Sequence, residues 1–320
     1  MRIRGLKNFC NILSDKINNS KKILIISHTS PDPDCLFSQL GIFYILKYKF
    51  KNKDFFLFNQ DYNYRKDFLV NFFPQLRLIK NKVDNINNFD LILGVEITDN
   101  KRGGIDINWN HINSEKLLII DHHKVFNLKN STYYLEENAD CCTFIVYKIA
   151  KIMKYEINED FKKFIIMGII GDTVGFRYIK NKETFDCLSK IFDKDIKINE
   201  LYKLIFGFDI RLIKRFYEIF ENLKFYKNLR LIFLKFKNDK KFRKIKSLLE
   251  FFRLFREVDT VIFLSQKNNI TYGHLRSDVL DVSKLAKYFG GGGHKYSSGF
   301  STEEDIDKVE RKILNLIRSL

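Results

Sequence analysis

Four short stretches of this chain concentrate the residue types that bind cations. The first, Ser27-His28-Thr29-Ser30-Pro31-Asp32-Pro33-Asp34, sets one imidazole and two carboxylates within seven residues. Carboxylate with imidazole suits manganese, magnesium or iron better than the thiolate-rich sites typical of structural zinc. Pro31 and Pro33 fix φ and so limit the entropy lost on chelation. The segment also reads as an Asx-rich turn ahead of a helix starting near Asp34. Turns rarely add a histidine, so the metal reading leads. The second stretch is Glu96, with Asp99 and Arg102 three and six residues on. An arginine there could hold a substrate phosphate bidentately or steady a carboxylate. The third is Asp121-His122-His123 and the fourth Gly171-Asp172-Thr173. Taken singly, these last three read as well or better as a solvated charged loop, a strand meeting solvated histidines, and a helix-to-loop junction.

Each stretch closes an apolar element. Residues 22–26, 90–95 and 117–120 are strands, the last a continuous apolar run that suits burial on both faces. The fourth stretch follows a helix over about 158–170, apolar at Phe161, Phe164, Ile165, Met167 and Ile169. Further helices are expected at 4–20, 35–50 and 140–154, the last opening with Cys141-Cys142-Thr143, and short strands at 54–59 and 76–80. Strands alternating with helices imply an α/β fold with a doubly wound parallel sheet. Ligands of such sheets collect at the strand ends, so the four stretches would meet there. The joint pattern is far more specific than any one member.

The chain has 320 residues, enough for two domains, and its 45% hydrophobic and 30% charged residues describe a folded protein rather than a disordered one. No uncharged apolar run approaches the roughly 20 residues of a membrane helix, and the basic start is followed by no signal-peptide core. Five cysteines without CxxC spacing read as reduced thiols of a cytoplasmic protein. The net charge of +17 permits an anionic substrate, but Lys, Asn, Ile, Phe and Tyr all belong to A/T-rich codons, so charge alone decides nothing.

Residues 186–222 read as helices that link two domains. Beyond them, 211–256 carries 15 Lys/Arg against 4 Asp/Glu with interleaved aromatics. That could be a basic wall for nucleotide phosphates, although most of these side chains suit amphipathic elements with solvated lysines. Strands at 229–236 and 258–265 precede Arg276-Ser277, and a helix over about 281–289 leads into Gly290-Gly291-Gly292-Gly293-His294. Four glycines in a row are entropically costly. As a loop of bare amides they could approach a phosphate closely, with His294 as a further donor.

Placed together, these motifs resemble the DHH phosphoesterases, in the stand-alone type with a DHH-associated C-terminal domain. That type includes bacterial oligoribonucleases that degrade nano-RNA and related cyclic-dinucleotide phosphodiesterases. The resemblance rests on His28, Pro31, Asp32 and Asp34; on Asp121-His122-His123; on Gly171-Asp172-Thr173; and on Arg276-Ser277 with Gly291-Gly292-Gly293-His294 and Gly299. Two departures stand out. Glu96 occupies a place where the family usually has aspartate, and Pro33 and Phe37 occupy places where glycine is common.

The resemblance implies a catalytic domain at 1–190, a helical linker at 191–224 and a smaller α/β substrate-binding domain at 225–320. It implies two divalent ions, manganese by preference, one held by His28, Asp32 and Glu96 and the other by Asp34, Glu96, His122 and Asp172. Asp121 would orient the histidines, His123 would donate to the phosphate or leaving oxygen, and Arg102 would join the catalytic set. Arg276, Ser277, Gly291, Gly292, Gly293 and His294 would hold the distal nucleotide. The expected activity is hydrolysis of cyclic di-AMP or short linear oligonucleotides to 5′-mononucleotides. Alternatives are 3′-phosphoadenosine-5′-phosphate phosphatase activity or a catalytically weakened nucleotide sensor. A small nucleotide partner is expected, with no long duplex and no membrane; the oligomeric state is left open, a homodimer included.

Overall fold

The computed structural model describes residues 1–319 except 64, 66, 84, 98, 100–102, 105–111, 124–130, 209, 211–212 and 238–244, and only the backbone of 214–215, 245–246 and 294. Contacts divide the chain into two units, Met1–Ile205 and Phe206–Leu320. The linker expected at 191–224 therefore straddles that division.

In the first unit, β1 (Lys22–Ser27), β2 (Asp54–Phe58), β3 (Ile79–Lys80), β4 (Leu91–Val95), β5 (Leu117–Asp121) and β6 (Thr132–Leu135) form one parallel sheet. β4 and β5 are buried at every position, as strands covered on both faces must be. The strand order is β3-β2-β1-β4-β5-β6. It reverses between β1 and β4, and in doubly wound sheets a crevice for ligand opens at such a reversal. Register makes the crevice chemical. Ser27 lies opposite Val95, and Val95 opposite Ile120, so His28, Glu96 and Asp121 leave neighbouring strands at one level.

Helices α1 (Leu6–Asn18), α2 (Pro33–Lys49), α3 (Cys142–Ile152), α4 (Glu159–Asp172), α5 (Lys182–Ile191) and α6 (Ile198–Phe206) complete the order of elements up to the division. α1 buries Phe9, Cys10, Leu13 and Ile17 at helical spacing. α2 has α3 and α4 packed against it and is buried almost throughout its first two turns.

The second unit is a mixed sheet of β7 (Leu223–Tyr226), β8 (Leu231–Lys237), β9 (Thr260–Lys267), β10 (Ile270–Ser277), β11 (Gly292–His294) and β12 (Ser297–Thr302), in the order β11-β12-β10-β9-β8-β7. Alternate residues of β8 enter different cores. Leu231 and Phe233 join a cluster with α9 (Val282–Tyr288) and α10 (Ile306–Arg318), whereas Ile232 and Leu234 join one with α7 (Ile213–Glu221) and α8 (Ile245–Phe252).

Several boundaries differ from expectation. α2 begins at Pro33, because Pro suits the first helical position and Asp32 caps it. The strand expected at 76–80 shrinks to β3, since Pro74–Leu78 is a 3-10 turn. The sequence carries no strand expectation at β6, β7, β10, β11 or β12. α4 runs on to Asp172, which therefore sits in its last turn rather than in the loop beyond. Among the described residues no helix is long and apolar enough to cross a membrane, and the five cysteines are buried and free.

Candidate metal centre

β1 ends one residue before His28, which is 2% exposed and whose ring is turned by its own loop. Nδ1 lies 2.7 Å from the Thr29 carbonyl oxygen. A carbonyl can only accept, so Nδ1 carries a proton and Nε2 is the nitrogen turned inward. Nε2 is 3.5 Å from Glu96 Oε2 and 4.0 Å from Asp32 Oδ1. Asp32 is also the α2 cap, Oδ1 accepting from the Cys35 N–H at 3.1 Å. The Asx-turn reading and the proximity to His28 thus hold together at one carboxylate.

Asp34, 1% exposed, is fixed by a different helix. Its Oδ2 accepts from the Cys142 N–H at 2.6 Å and its Oδ1 from the Thr143 N–H at 2.9 Å. These are first-turn amides of α3, which have no partner within their own helix. His122 follows the same logic as His28. Its Nδ1 is 3.3 Å from the Ala139 carbonyl oxygen, and its Nε2 is 3.5 Å from Asp172 Oδ2 and 4.0 Å from Asp34 Oδ2. Glu96 lies between the two groups with a left-handed backbone, φ 57°, a conformation uncommon for a non-glycine residue. Ligating atoms of His28, Asp32 and Glu96 fall within 4.8 Å of one another, as do those of Asp34, Glu96 and His122.

The electrostatics ask for a cation. Burial, then the charges of Asp34 and Asp32, push the Glu96 carboxyl well above the usual range. Glu96 Oε1 and His122 Nε2 are buried and have no hydrogen-bond partner among the described residues. Leaving such groups desolvated and unmatched is expensive, and a divalent ion would satisfy both. Carboxylate oxygens with imidazole nitrogens, and no thiolate, fit manganese or a similar cation. Asp121 is fully buried; burial works against its charge, but the hydrogen bond and charge of His123, with His122, outweigh this and hold its carboxyl below the usual range. Its Oδ1 accepts from the N–H of His122 and of His123 and from His123 Nδ1 at 2.7 Å.

The structure thus brings together His28, Asp32, Asp34, Glu96, His122 and Asp172, with Asp121 and His123 alongside. Arg102 lies outside the described residues. Two further residues shape the site: Gly168, where a Cβ would stand 2.2 Å from Thr143 Oγ1 and 2.6 Å from Asp34 Oδ1, and Asn59, whose amide touches the His28 loop. Neither carries a metal-binding group, so neither offered a chemical signal.

The expected recognition residues of the second unit are more committed to the fold than anticipated. The Ser277 side chain is fully buried, its hydroxyl 2.8 Å from Thr260 Oγ1 and accepting from the N–H of Leu280. Arg276 is 7% exposed, with Nε 3.2 Å from Glu250 Oε1. The glycine run is no loop of bare amides. The N–H groups of Gly290 and Gly291 close the end of α9, and Gly292 and Gly293 belong to β11, paired with β12. Glycine is required there by space: a Cβ at Gly291 would lie 2.2 Å from the Gly299 carbonyl oxygen. The backbone of His294 ends β11, and its side chain lies outside the description.

Residues 22–169 match the model of the DHH family N-terminal domain, and residues 228–319 that of the DHHA1 domain. A probable bifunctional oligoribonuclease and PAP phosphatase NrnA from Streptococcus mutans is 26% identical over 317 residues, 95% of this chain and 97% of its own. Its Bacillus subtilis counterpart, named bifunctional oligoribonuclease and PAP phosphatase NrnA, is 23% identical over 300 residues, 90% of this chain and 92% of its own. A probable manganese-dependent inorganic pyrophosphatase from Lactiplantibacillus plantarum is 24% identical over 194 residues, 58% of this chain and 60% of its own. Among solved structures, an exopolyphosphatase-related protein from Bacteroides fragilis shares the fold with a TM-score of 0.79 at 19% identity, covering 97% of this chain and 96% of its own.

Proposed function

The chain belongs to the DHH family and is a hydrolase of phosphoester bonds, and from that premise we propose that it is a manganese-dependent phosphodiesterase of very short nucleotides. Its substrates on this reading are cyclic di-AMP, linear pApA or RNA of a few nucleotides, cut to 5′-mononucleotides in the cytoplasm. The observation that carries it is the overlap of two ligand groups on one carboxylate, that of Glu96.

His28, Asp32 and Glu96 would hold one cation, and Asp34, Glu96, His122 and Asp172 a second. Such a pair, when bound, supplies Lewis acidity at a phosphoryl oxygen and lowers the pKa of a nucleophilic water. The chain's own residues arrange the rest. Carbonyl oxygens of Thr29 and Ala139 hold the two histidine rings with Nε2 inward. Asp121 orients the ring of His123, whose protonated form can donate to the leaving oxygen. In the second unit Arg276, buried and ion-paired with Glu250, would be the phosphate contact on this reading, with His294 and the β11 glycines in the same motif; Ser277 supports that strand end from within.

PAP phosphatase activity is the second reading, favoured by the joint names of the S. mutans and B. subtilis relatives. Product analysis in manganese, with cyclic di-AMP, pApA, short RNA and 3′-phosphoadenosine-5′-phosphate at equal concentration, separates the two. Mononucleotides from pApA or short RNA at the highest rate support the proposal. Phosphate release from the bisphosphate alone favours the second reading, and binding without turnover makes the protein a sensor.

A further inference from the structure

Asn59 stands one residue beyond β2 and is fully buried. Its Nδ2 donates to the His28 carbonyl oxygen and to Ser27 Oγ, both at 2.8 Å. Its Oδ1 accepts from the N–H groups of Asp61 and Tyr62, both at 3.1 Å. The parallel register explains the contact: Ile26 lies opposite Phe58, so the exit loops of β1 and β2 run side by side. The network has a direction. Ser27 Oγ donates to Gln39 Oε1 at 3.0 Å, and Gln39 Nε2 donates to the carbonyls of Ile25 and Phe58. Ser27 Oγ, having given its hydrogen to Gln39, can only accept from residue 59, and the His28 carbonyl can only accept as well. Residue 59 must therefore present a donor on one side and an acceptor on the other, which an amide does and a carboxylate does not.

A second tie runs parallel to the first. Asp61 Oδ2 accepts from the Ser30 N–H at 2.7 Å and from Ser30 Oγ at 3.3 Å, and Ser30 takes a left-handed φ of 54°. The loop that carries His28 is thus gripped on both sides of the histidine by the loop after β2. We infer that Asn59, assisted by Asp61, is the positioning residue that sets His28 against Glu96 and Asp32. The inference rests on the reading of His28 as a metal ligand. Asn59 touches no substrate or reacting atom and works through the His28 main chain.

The test is manganese binding to the whole protein, followed through the electron paramagnetic resonance of free Mn2+, with melting in EDTA as the check on folding. Asn59→Ala should weaken the site that holds His28 about 10-fold or more, the low end for residues that support a ligand, and leave the other site as in the wild type. Asp61 is exposed, so Asp61→Ala keeps the test open should Asn59→Ala fail to fold. It should weaken the same site, and Asp61→Asn, which retains an acceptor, should restore it. His28→Ala separates the two ideas. If it loses one manganese while folded Asn59→Ala, or Asp61→Ala in its place, binds like the wild type, the positioning role is overturned and the metal reading stands. If His28→Ala itself binds both ions normally, the metal reading of His28 falls and takes the inference with it.

Discussion

Replacing Asp34 by alanine should damage the protein in two ways that can be measured apart. The carboxylate accepts two hydrogen bonds from the Cys142 and Thr143 amides, and the residue at the α3 N-cap, Cys141, makes no side-chain cap bond of its own. Alanine leaves both amides buried without an acceptor. At about 1–3 kcal/mol for each unsatisfied donor, the metal-free protein should lose about 2–6 kcal/mol. With about 2–4 °C per kcal/mol for a unit of this size, melting in EDTA should fall by about 4–24 °C. Manganese-dependent hydrolysis should vanish as well. His122→Ala is the matched control, because it removes a ligand atom and leaves the α3 amides capped; it should abolish hydrolysis with a smaller loss of metal-free melting temperature. Scanning calorimetry in EDTA beside a hydrolysis assay in manganese reads both quantities. An Asp34→Ala protein that melts like the wild type in EDTA refutes the cap, and one that keeps manganese-dependent turnover refutes the ligand role.

Glu96→Asp should keep the fold, since aspartate is among the residues that tolerate a left-handed backbone, and should retain hydrolysis with an altered manganese requirement. A folded but inactive Glu96→Asp protein would count against that. The Glu96 carboxyl also sets a pH dependence. Burial, with Asp34 and Asp32, raises its folded pKa above the ordinary 4.5, so the metal-free folded state binds a proton that the unfolded chain has shed. Stability in EDTA should therefore fall as pH rises above the ordinary glutamate value until the folded pKa is passed, and stabilisation by manganese should grow over the same window. Melting with EDTA and with manganese, referenced to Glu96→Gln, checks the sign; a wild type that gains metal-free stability over Glu96→Gln with rising pH contradicts it. Ser277→Ala should lower the melting temperature and leave KM unchanged, because its hydroxyl serves the fold; a raised KM would return it to the substrate.

The parts of the fold that were legible in the sequence are those whose burial is complete. β4 is apolar throughout and β5 up to the Asp121 that closes it, and both are covered on both faces, as central strands are. β6 escaped because it is short, lies at the sheet edge and leaves Thr132 and Tyr133 half-buried, so it offers neither a run nor a clean alternation. The cation-binding side chains were legible because their chemistry is written in their identity and strand ends collect ligands. Gly168 and Asn59 were not, since one acts by leaving room for Asp34 and the other by the direction of a hydrogen bond. The glycine run was legible only in part: its spacing signals close approach of backbone without saying to what, and at Gly291 one such neighbour is the Gly299 carbonyl.

Anomalous diffraction at the manganese edge, from crystals grown with Mn2+, asks most directly whether these strand ends form one metal centre. Two peaks are expected in the crevice between β1 and β4, one against His28 and Asp32, the other against Asp34, His122 and Asp172, with the Glu96 carboxylate touching both. A single peak that Glu96 does not touch, or manganese bound away from these residues, would contradict it.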